Sequence, residues 1–411
     1  LGGISMKLIQ GGVTAAKGYK GAGGHIGLKV KKKDLAIVYS ETPCTFAGAF
    51  TQNVVKAAPV LWDKAVLEKH NKVHAIGVNS GNANAATGEQ GVKDTEEMAQ
   101  ILSETLGVQK EEVLVCSTGV IGVNLPMDVL RVGIPTVAQN LEASFEGGEE
   151  AATAILTTDL IKKTIAVEEE INGVTFTVGG MGKGSGMIHP NMATMLGFVT
   201  TDVNITQEML QKALKKCIDT SFNMITVDGD TSTNDSVLVL ANGLAGNAVI
   251  DCEGEAFDKF CNCLFEVCKY IAVSIAKDGE GATKLLEVNL KGAKSFEEGK
   301  TIAKSILTSN LVKTAFFGED ANWGRVFCAM GYSGVPFDPN KVDISFESIA
   351  GHVCLLKEGL PVKFSEEKAK TVLQEKEIKI TITMGEGDAS VTAWGCDLSY
   401  DYVKINGDYR S

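Results

Sequence analysis

Apolar and polar positions follow two alternating patterns along this chain. Segments 73–81 and 111–119 are short β-branched runs that each end in a glycine-rich turn, which is typical of strands. Between them, segment 94–107 places apolar residues three or four positions apart and ends at Gly107, a favourable residue for a helix C-cap. Strands that alternate with helices predict a mixed α/β fold.

Further elements are predicted on both sides of a glycine-rich loop that begins at Gly182. Segments 172–180 and 193–202 are predicted strands that flank this loop, and segment 206–222 is a predicted amphipathic helix capped by Thr206. Towards the end of the chain, three more segments are rich in strand-forming residues: 283–293, 377–387 and 389–405. This arrangement favours antiparallel or mixed sheets over a purely parallel one.

The composition indicates an ordinary globular protein. With 411 residues, of which 44% are hydrophobic, the chain can bury a sizeable core in about two domains or one duplicated unit. The net charge of -12 argues against nucleic acid or a membrane surface as a partner, because polyanions attract clustered Lys and Arg. The one basic run, 29–33, is predicted to be a solvated turn. No apolar window is long enough for a membrane span and no signal peptide is recognisable, which predicts a cytoplasmic protein.

Ten cysteines are spread through apolar surroundings, which predicts reduced thiols and not a disulfide framework. The densest group, Cys261, Cys263 and Cys268, follows a helical pattern without Cys-x-x-Cys spacing or a nearby histidine, so it is interpreted as core packing. Apart from His189, the histidines show no metal-ligand spacing. We therefore predict no metal site.

The glycine-rich loop fails the two phosphate-binding patterns that its composition suggests. A P-loop requires Lys followed by Ser or Thr, whereas Lys183 is followed by Gly184. A dinucleotide fingerprint requires G-x-G-x-x-G, and its last position falls on Ser185 or Met187. Taken alone, the loop would be interpreted as a mobile turn between two strands.

Nucleophilic catalysis gives this loop a second interpretation, centred on Thr194. A threonine hydroxyl needs a base, and one recurring base is the α-amine that the same threonine gains when the chain is cut before it. Such an amine titrates at about 7.7 to 8.0, whereas a lysine near 10.4 would need its pKa lowered by ~3 units. The preceding glycines allow the backbone to turn so that the Thr194 hydroxyl reaches the Ala193 carbonyl. The cut predicts two chains, residues 1–193 and 194–411.

Seven motifs give the chain a family resemblance: "KGSGMIHPNMATMLGFVTTD", "GVNSGNANAATGEQG", "STGVIG", "LTTD", "DGDTSTNDS", "KDGEGATKL" and "GEDANWGRV". Over essentially the whole chain, the sequence resembles the ornithine acetyltransferase family of arginine biosynthesis, the glutamate N-acetyltransferases. The resemblance implies that Thr194 takes the acetyl group from N-acetylornithine, releases ornithine and passes the acetyl group to glutamate in a ping-pong reaction. It implies no cofactor, and it leaves open whether acetyl-CoA is a second donor.

The resemblance also implies roles for other residues. Thr118 and Gly119 correspond to the oxyanion hole, where two donors stabilise the negative charge of the reaction intermediate. The implied substrate contacts, besides Thr194, are Thr157, Lys183, Glu280, Asn406 and Ser411. Because chain ends usually fray, the last two contacts make a specific prediction: the C-terminal tail is ordered against the substrate pocket.

Each implied contact has a plain structural alternative. Lys183 can bind a carboxylate, yet a lysine among glycines is usually exposed. Glu280 can pair with an ammonium group of the substrate, yet an acidic residue in such a loop is usually solvated. Thr157 lies next to Thr158, so the segment is a firmer prediction than the particular threonine.

Three further features of the sequence lie outside the implied substrate contacts: a histidine, an acidic loop and a short segment near residue 320. His189 has a suitable pKa for a general base but departs with the other chain after the cut, so a structural or self-processing role is preferred. Segment 228–236 lacks the glycine and glutamate positions of an EF-hand and is predicted to be a structural loop near the site. Asp320, Trp323 and Arg325 are predicted to pin a turn.

The fold and assembly also follow from the resemblance. It implies a layered α-β-β-α sandwich in which the two cleaved chains form a heterodimer, and two heterodimers form a heterotetramer. Two other classes stay open at this stage. A self-cleaving aminopeptidase shares this fold and would hydrolyse the acyl-enzyme, whereas a non-enzymatic binding protein would stay uncut.

Overall fold

The computed structural model describes residues 6–190 and 195–409, and the helices and strands of those ranges are as follows. The strands are β1 (Lys7–Ile9), β2 (Tyr19–Gly24), β3 (Leu35–Phe50), β4 (Val73–Asn82), β5 (Val113–Val120), β6 (Lys163–Ile171), β7 (Val174–Lys183), β8 (Leu196–Thr201), β9 (Ser236–Ala241), β10 (Leu285–Ala293), β11 (Asp343–Ser348), β12 (Gly351–Lys357), β13 (Leu360–Pro361), β14 (Glu377–Thr383) and β15 (Ala389–Cys396). The α-helices are α1 (Ala58–Lys69), α2 (Gly88–Leu106), α3 (Met127–Ala138), α4 (Phe145–Ala154), α5 (Gln207–Thr220), α6 (Glu255–Lys277), α7 (Phe296–Thr308), α8 (Asn310–Phe317), α9 (Trp323–Gly331), α10 (Glu366–Leu373) and α11 (Tyr400–Asp408).

The long strand β3 belongs to two sheets. Its first part, residues 35–44, pairs with β2 and β4, and β4 in turn pairs in parallel with β5. Its last part, residues 45–50, pairs with β9 in a sheet that runs β1-β6-β7-β8-β9-β3. In that second sheet only β8 and β9 are parallel.

Alternation of side chains along these strands produces four layers, because successive residues point to opposite faces. Both sheets contribute to one apolar cluster between them, which contains Val38, Ile76, Leu114, Phe198 and Leu238. The outer face of the first sheet packs against α2 and α3 through Ile37, Val113 and Val115. The outer face of the second sheet packs against α5 and α6 through Val199, Val237 and Val239. The order is helix, sheet, sheet, helix, which confirms the predicted α-β-β-α sandwich.

A third sheet occupies the C-terminal part of the chain, in the order β13-β12-β11-β14-β10-β15. Only β10 and β14 are parallel within it, so the prediction of mixed sheets is confirmed. The predicted strand 389–405 is wrong in its second half, because residues 400–408 form helix α11. The sequence "YDYVKI" alternates well enough for a strand, but the Asp397 carboxylate ends β15 by accepting the N–H groups of Thr283 and Lys284.

Two predicted helices each have one end where the sequence predicts it, namely the C-terminus of α2 and the N-terminus of α5. Helix α2 stops at Gly107, which has a φ of 72°, although the helix begins earlier than the pattern indicated. Helix α5 begins after Thr206, whose side chain accepts the Met209 N–H.

Cys263 and Cys268 are buried on α6, which confirms core packing, and all ten cysteines are free thiols. No helix within residues 6–190 and 195–409 has the length and apolar character needed to cross a bilayer.

The basic run 29–33 is not solvated throughout. Lys29 is half-buried, and its Nζ donates to the Leu156 carbonyl at 2.8 Å. Burial lowers the pKa of Lys29 to about 8. The neighbouring turn is held by Asp34, whose carboxylate accepts the N–H groups of Ile26 and Lys29, and this turn directs Lys29 inward.

Candidate active site

Strands β7 and β8 form a hairpin whose loop carries the predicted cut. Lys183 at the end of β7 pairs with Leu196 at the start of β8, so the loop leaves and rejoins the sheet at one edge. The Met195 carbonyl accepts the Ser236 N–H at 2.9 Å, which fixes the chain just after the predicted nucleophile. Ala193 and Thr194 themselves lie outside the described residues.

A polar cavity of about 130 Å³ lies at this edge of the sheet. Six of the residues predicted for the site line it: Thr118, Gly119, Thr157, Lys183, Glu280 and Asn406. They come from segments that are far apart in the sequence, so the fold brings them together. The remaining contact, Ser411, lies outside the described residues, and the functional roles of all these residues stay predictions.

Thr118 and Gly119 lie near the end of strand β5, where they pair with the last residues of β4. The Lys183 ammonium donates to the Thr118 Oγ1 at 3.3 Å, which orients this hydroxyl. Gly119 has a φ of 137°, and a Cβ there would lie 2.3 Å from the carbonyl carbon of Gly81. Only glycine fits this position, because a side chain would collide with main chain.

Glu280 is buried in the turn that follows α6, which is opposite to the solvated alternative. Its N–H donates to the Ser185 carbonyl at 2.8 Å. One carboxylate oxygen accepts the Thr158 hydroxyl at 2.7 Å, and the other accepts the Asn406 amide at 2.8 Å. A carboxylate has about four acceptor sites, so these two bonds orient Glu280 and leave capacity for an ammonium group in the cavity.

Lys183 is also buried, within a cluster of charged groups. Lys163 donates to Asp159 at 2.8 Å and to Asp278 at 2.7 Å, and Asp159 also accepts the Gly184 N–H at 2.7 Å. Burial lowers the pKa of Lys183, and the Asp159 charge opposes that effect. Burial would raise the pKa of Asp159, but Lys183 and Lys163 bring it down to about 2. Asp159 therefore remains an anion that balances the lysine at the cavity wall.

The two adjacent threonines have different contacts. Thr157 and Thr158 both line the cavity. The Thr158 hydroxyl bonds to Glu280 and lies 2.7 Å from the Ser185 Oγ, a pairing that the sequence did not predict. The Thr157 N–H donates to the Asp159 carboxylate at 3.1 Å. Thr158 is therefore the member of the pair that orients Glu280, and the substrate contact of Thr157 stays a prediction.

Helix α11 places the C-terminal tail against the cavity. Asn406 bonds to Glu280, as described above, and Tyr409 also lines the wall. The Tyr402 hydroxyl donates to the Asp228 carboxylate at 3.1 Å, which ties α11 to the loop 228–236. These contacts explain why the tail of the described chain lies over the site although none of its residues is buried.

The loop 228–236 lines one side of the cavity, although the sequence predicted only a structural role for this loop. Its residues Ser232, Thr233, Asn234 and Asp235 line the cavity. The Asn234 amide donates to the Ala83 carbonyl at 2.6 Å and to the Ser117 carbonyl at 2.8 Å, so the loop is fixed to the ends of β4 and β5. One sequence signal could have identified these residues as part of the site: they directly precede the apolar strand β9, at the edge of the sheet where the cavity lies.

Asp235 is a buried carboxyl group at this wall. Its Oδ2 has no hydrogen-bond partner among the described residues. Burial raises the pKa of Asp235 well above its usual range, and bonds to Ser232 and the charge of Lys183 oppose this only in part. A buried carboxyl group whose pKa is raised therefore lines the cavity close to the start of β8.

Replacing Asp235 with asparagine should stabilise the protein at pH 7. The raised pKa means that Asp235 holds its proton to a higher pH in the folded state than in the unfolded chain, where it is released near pH ~4. The free energy of unfolding therefore falls as the pH rises above about 4. The neutral amide removes this penalty, and we expect the free energy of unfolding to increase by about 1 kcal/mol or more, the value of one pKa unit. Urea unfolding at pH 7 and pH 4 measures the effect. The gain should vanish at the lower pH, and a loss of stability at pH 7 would contradict the prediction.

His189 lies beside the cavity without being among the described residues that line it. Its Nδ1 is 3.0 Å from the Thr226 Oγ1. Burial, with a contribution from the Lys304 charge, lowers the pKa of His189 to about 4. The imidazole is therefore neutral at pH 7. No cluster of three or more His, Cys, Asp or Glu side chains suited to a metal ion occurs in the described ranges.

Segment 318–326 pins the turn between α8 and α9, as predicted. The Asn322 side chain accepts the Arg325 N–H and so caps α9, and it donates to the Asp320 carboxylate at 3.0 Å. The Arg325 guanidinium donates to the Leu311 carbonyl on α8 at 2.8 Å. Trp323 is the first residue of α9.

Fold and site together define an α-β-β-α sandwich protein with a charged polar cavity at the ends of its central strands. The chain belongs to the ArgJ family, whose sequence profile matches residues 20–411. This confirms the resemblance to the ornithine acetyltransferases and the assignment to an enzyme family of arginine biosynthesis.

Individual relatives match over the full length. Two proteins named arginine biosynthesis bifunctional protein ArgJ, from Symbiobacterium thermophilum and Caldanaerobacter subterraneus, are 52% and 51% identical to this chain. Each match covers 99% of this chain and 100% of the relative. A crystal structure of a protein with the same name from Bacillus halodurans is 48% identical, with a TM-score of 0.50, and covers 53% of this chain and 100% of the solved chain.

Proposed function

We propose that this protein transfers the acetyl group of N-acetylornithine to glutamate through an acetyl-threonine intermediate on Thr194. The observation that carries the proposal is the convergence of Thr118, Lys183 and Glu280 on one cavity at the edge where residue 195 rejoins the sheet. A lysine and a carboxylate that line the same cavity suit a substrate that carries both an ammonium group and a carboxylate. In N-acetylornithine these groups would pair with Glu280 and Lys183, respectively.

The nucleophile is generated by self-cleavage. The Thr194 Oγ attacks the Ala193 carbonyl carbon, the amide C–N bond breaks, and the freed nitrogen takes the hydroxyl proton. Water then hydrolyses the resulting ester, which leaves chains 1–193 and 194–411. One comparison supports this cut: the solved chain from Bacillus halodurans covers 53% of this chain, and residues 194–411, which are 218 of 411, make up the same share.

Acetyl transfer uses the two groups that the cut provides. The free amine of Thr194 accepts the proton of its own hydroxyl, and Oγ attacks the acetyl carbonyl. Thr118 and Gly119 stabilise the developing oxyanion, a contribution of typically 10²- to 10³-fold per donor. Ornithine leaves with the proton. In the second half of the reaction the amine of glutamate attacks the acetyl ester, the bond between the acetyl carbon and Thr194 Oγ breaks, and Oγ regains a proton given up by the glutamate nitrogen. No cofactor takes part in this scheme.

A second donor is part of the proposal. The relatives are named bifunctional, which favours a further reaction in the same cavity. Acetyl-CoA can supply the acetyl group to the same threonine and release its thiol. The acetyl-enzyme and the glutamate step are then unchanged.

The cut chains remain associated in this proposal. Strand β7 belongs to the first chain and β8 to the second, and the two pair over six residues from Val178–Thr201 to Lys183–Leu196. Their shared hydrogen bonds and core would hold the heterodimer together after cleavage. From the family resemblance we further propose a heterotetramer of two heterodimers, located in the cytoplasm.

One assay separates this proposal from its alternatives. The purified protein is incubated with N-acetylornithine, with and without glutamate, and N-acetylglutamate and acetate are quantified by mass spectrometry. We expect N-acetylglutamate with glutamate present and little acetate without it, whereas an aminopeptidase-like hydrolase yields acetate in both cases. Acetyl-CoA with glutamate tests the second donor. A non-enzymatic binding protein would give neither product and would stay uncut.

A further inference from the structure

The chain leading to the predicted cut is held at successive residues. The N–H groups of Met187 and Ile188 donate to the Asp228 carboxylate at 2.7 and 2.8 Å. The Ile188 carbonyl accepts the Val227 N–H at 2.7 Å, and the His189 carbonyl accepts the Thr231 hydroxyl at 2.8 Å. Loop 226–231 thus fixes residues 187–189.

The next carbonyl, that of Pro190, is held from a different element. Lys304 on α7 donates from Nζ to the Pro190 carbonyl at 2.8 Å and to the Asn223 carbonyl at 3.3 Å. The described residues give this ammonium group no carboxylate partner, and burial lowers the pKa of Lys304 to about 7. Pro190 is the last described residue before the cut.

Burying this lysine carries an energetic cost. Removing an ammonium group from water without a counter-charge disfavours folding, and an apolar side chain of similar length would avoid that penalty. The contact joins the two predicted chains, because Pro190 belongs to the first and Lys304 to the second. The geometry of this contact suits a residue that fixes the position of the segment leading to the scissile bond.

We propose that Lys304 is a positioning residue for self-cleavage, which holds the Pro190 carbonyl against α7. The inference rests on the proposed function. On the far side of the bond, Met195 is fixed by the Ser236 N–H and by strand β8. Holding Pro190 shortens the stretch between the two fixed points, so fewer conformations compete with the one in which hydroxyl and carbonyl meet.

The test compares the rate of cleavage in freshly synthesised precursors. Lys304→Met, Lys304→Gln and the wild type are made by cell-free translation, and the uncut fraction is followed over time on denaturing gels. We expect Lys304→Met to be cut at least about tenfold more slowly than the wild type, as loss of orientation predicts. Lys304→Gln retains a short N–H donor and should be intermediate. Lys284→Met is the matched control, because Lys284 is a buried lysine that donates to the Leu373 carbonyl away from this segment.

Two further readouts make the outcome decisive. Once fully cut, Lys304→Met should transfer acetyl groups with a kcat near that of the wild type, because Lys304 is not among the described residues that line the cavity. Its Tm should not fall. Wild-type cleavage rates in a folded Lys304→Met protein overturn the inference. If that variant does not fold, a wild-type rate in Lys304→Gln overturns it. A wild-type precursor that is never cut would instead refute the proposed function.

Discussion

Replacing Thr194 with alanine should leave the protein as one polypeptide of 411 residues and abolish acetyl transfer. The substitution removes the attacking oxygen, and without the cut the α-amine that serves as the base never forms. Loss of a nucleophile that works together with its base lowers kcat on the order of 10⁴-fold or more. Mass spectrometry of the purified protein reports the cut, and formation of N-acetylglutamate from N-acetylornithine and glutamate reports the activity.

Two control variants separate the hydroxyl from general damage. Thr194→Ser keeps an oxygen and should still be cut and active, although more slowly. Thr206→Ala removes the N-cap of α5, a change that costs about 1 kcal/mol, and it should leave cleavage and transfer intact. The proposed chemistry is wrong if Thr194→Ala is cut, or if the wild type is fully active while it remains a single chain.

Local sequence patterns predicted several of the individual elements, because such patterns depend on neighbouring residues. In β10, for example, Leu286, Val288 and Leu290 are buried and alternate with more polar residues, and this alternation is visible in the sequence. The sharing of β3 between two sheets is not visible, since its pairing with β9 joins residues about 190 positions apart. Sequence patterns specify which face is buried, whereas pairing depends on packing of the whole chain.

Some residues of the candidate site were likewise predicted before the structure, and others were found only in it. Thr118, Lys183 and Glu280 were predicted from the family resemblance, and residue types alone would have assigned Lys183 and Glu280 to the surface. Thr158 and Asp235 were missed because polar residues in loops look alike whether they are solvated or buried. Asp235 is buried and Thr158 is half-buried, and the bond from Thr158 to Glu280 joins residues far apart in the sequence, which only the folded structure shows. The strand predicted for residues 400–405 failed because a short alternating run fits both periods.

Replacing Glu280 with glutamine should impair use of N-acetylornithine far more than use of glutamate. The donor carries a side-chain ammonium group, and a hydrogen bond between charged groups contributes about 1.5–3 kcal/mol, or roughly 10- to 100-fold in kcat/KM. Glutamate has no side-chain cation, so its KM should change little. The measurement is kcat/KM for each substrate with the other held at saturation. Equal losses for both substrates would contradict a role in recognising the donor.

A neighbouring glycine allows the position of this carboxylate to be tested without removing it. A Cβ added to Gly186 would lie 2.3 Å from Glu280 Cδ and from one carboxylate oxygen. These atoms end a flexible side chain, so Gly186→Ala should displace the carboxylate from the bonds to Thr158 and Asn406 while the main chain stays in place. We expect a rise of roughly tenfold in KM for N-acetylornithine, as for a misplaced charged partner, with an unchanged Tm. Combining Gly186→Ala with Glu280→Gln should add little to Glu280→Gln alone, because both changes remove the same interaction. Full additivity of the two losses would show that Gly186 acts on the reaction by a route that does not pass through Glu280.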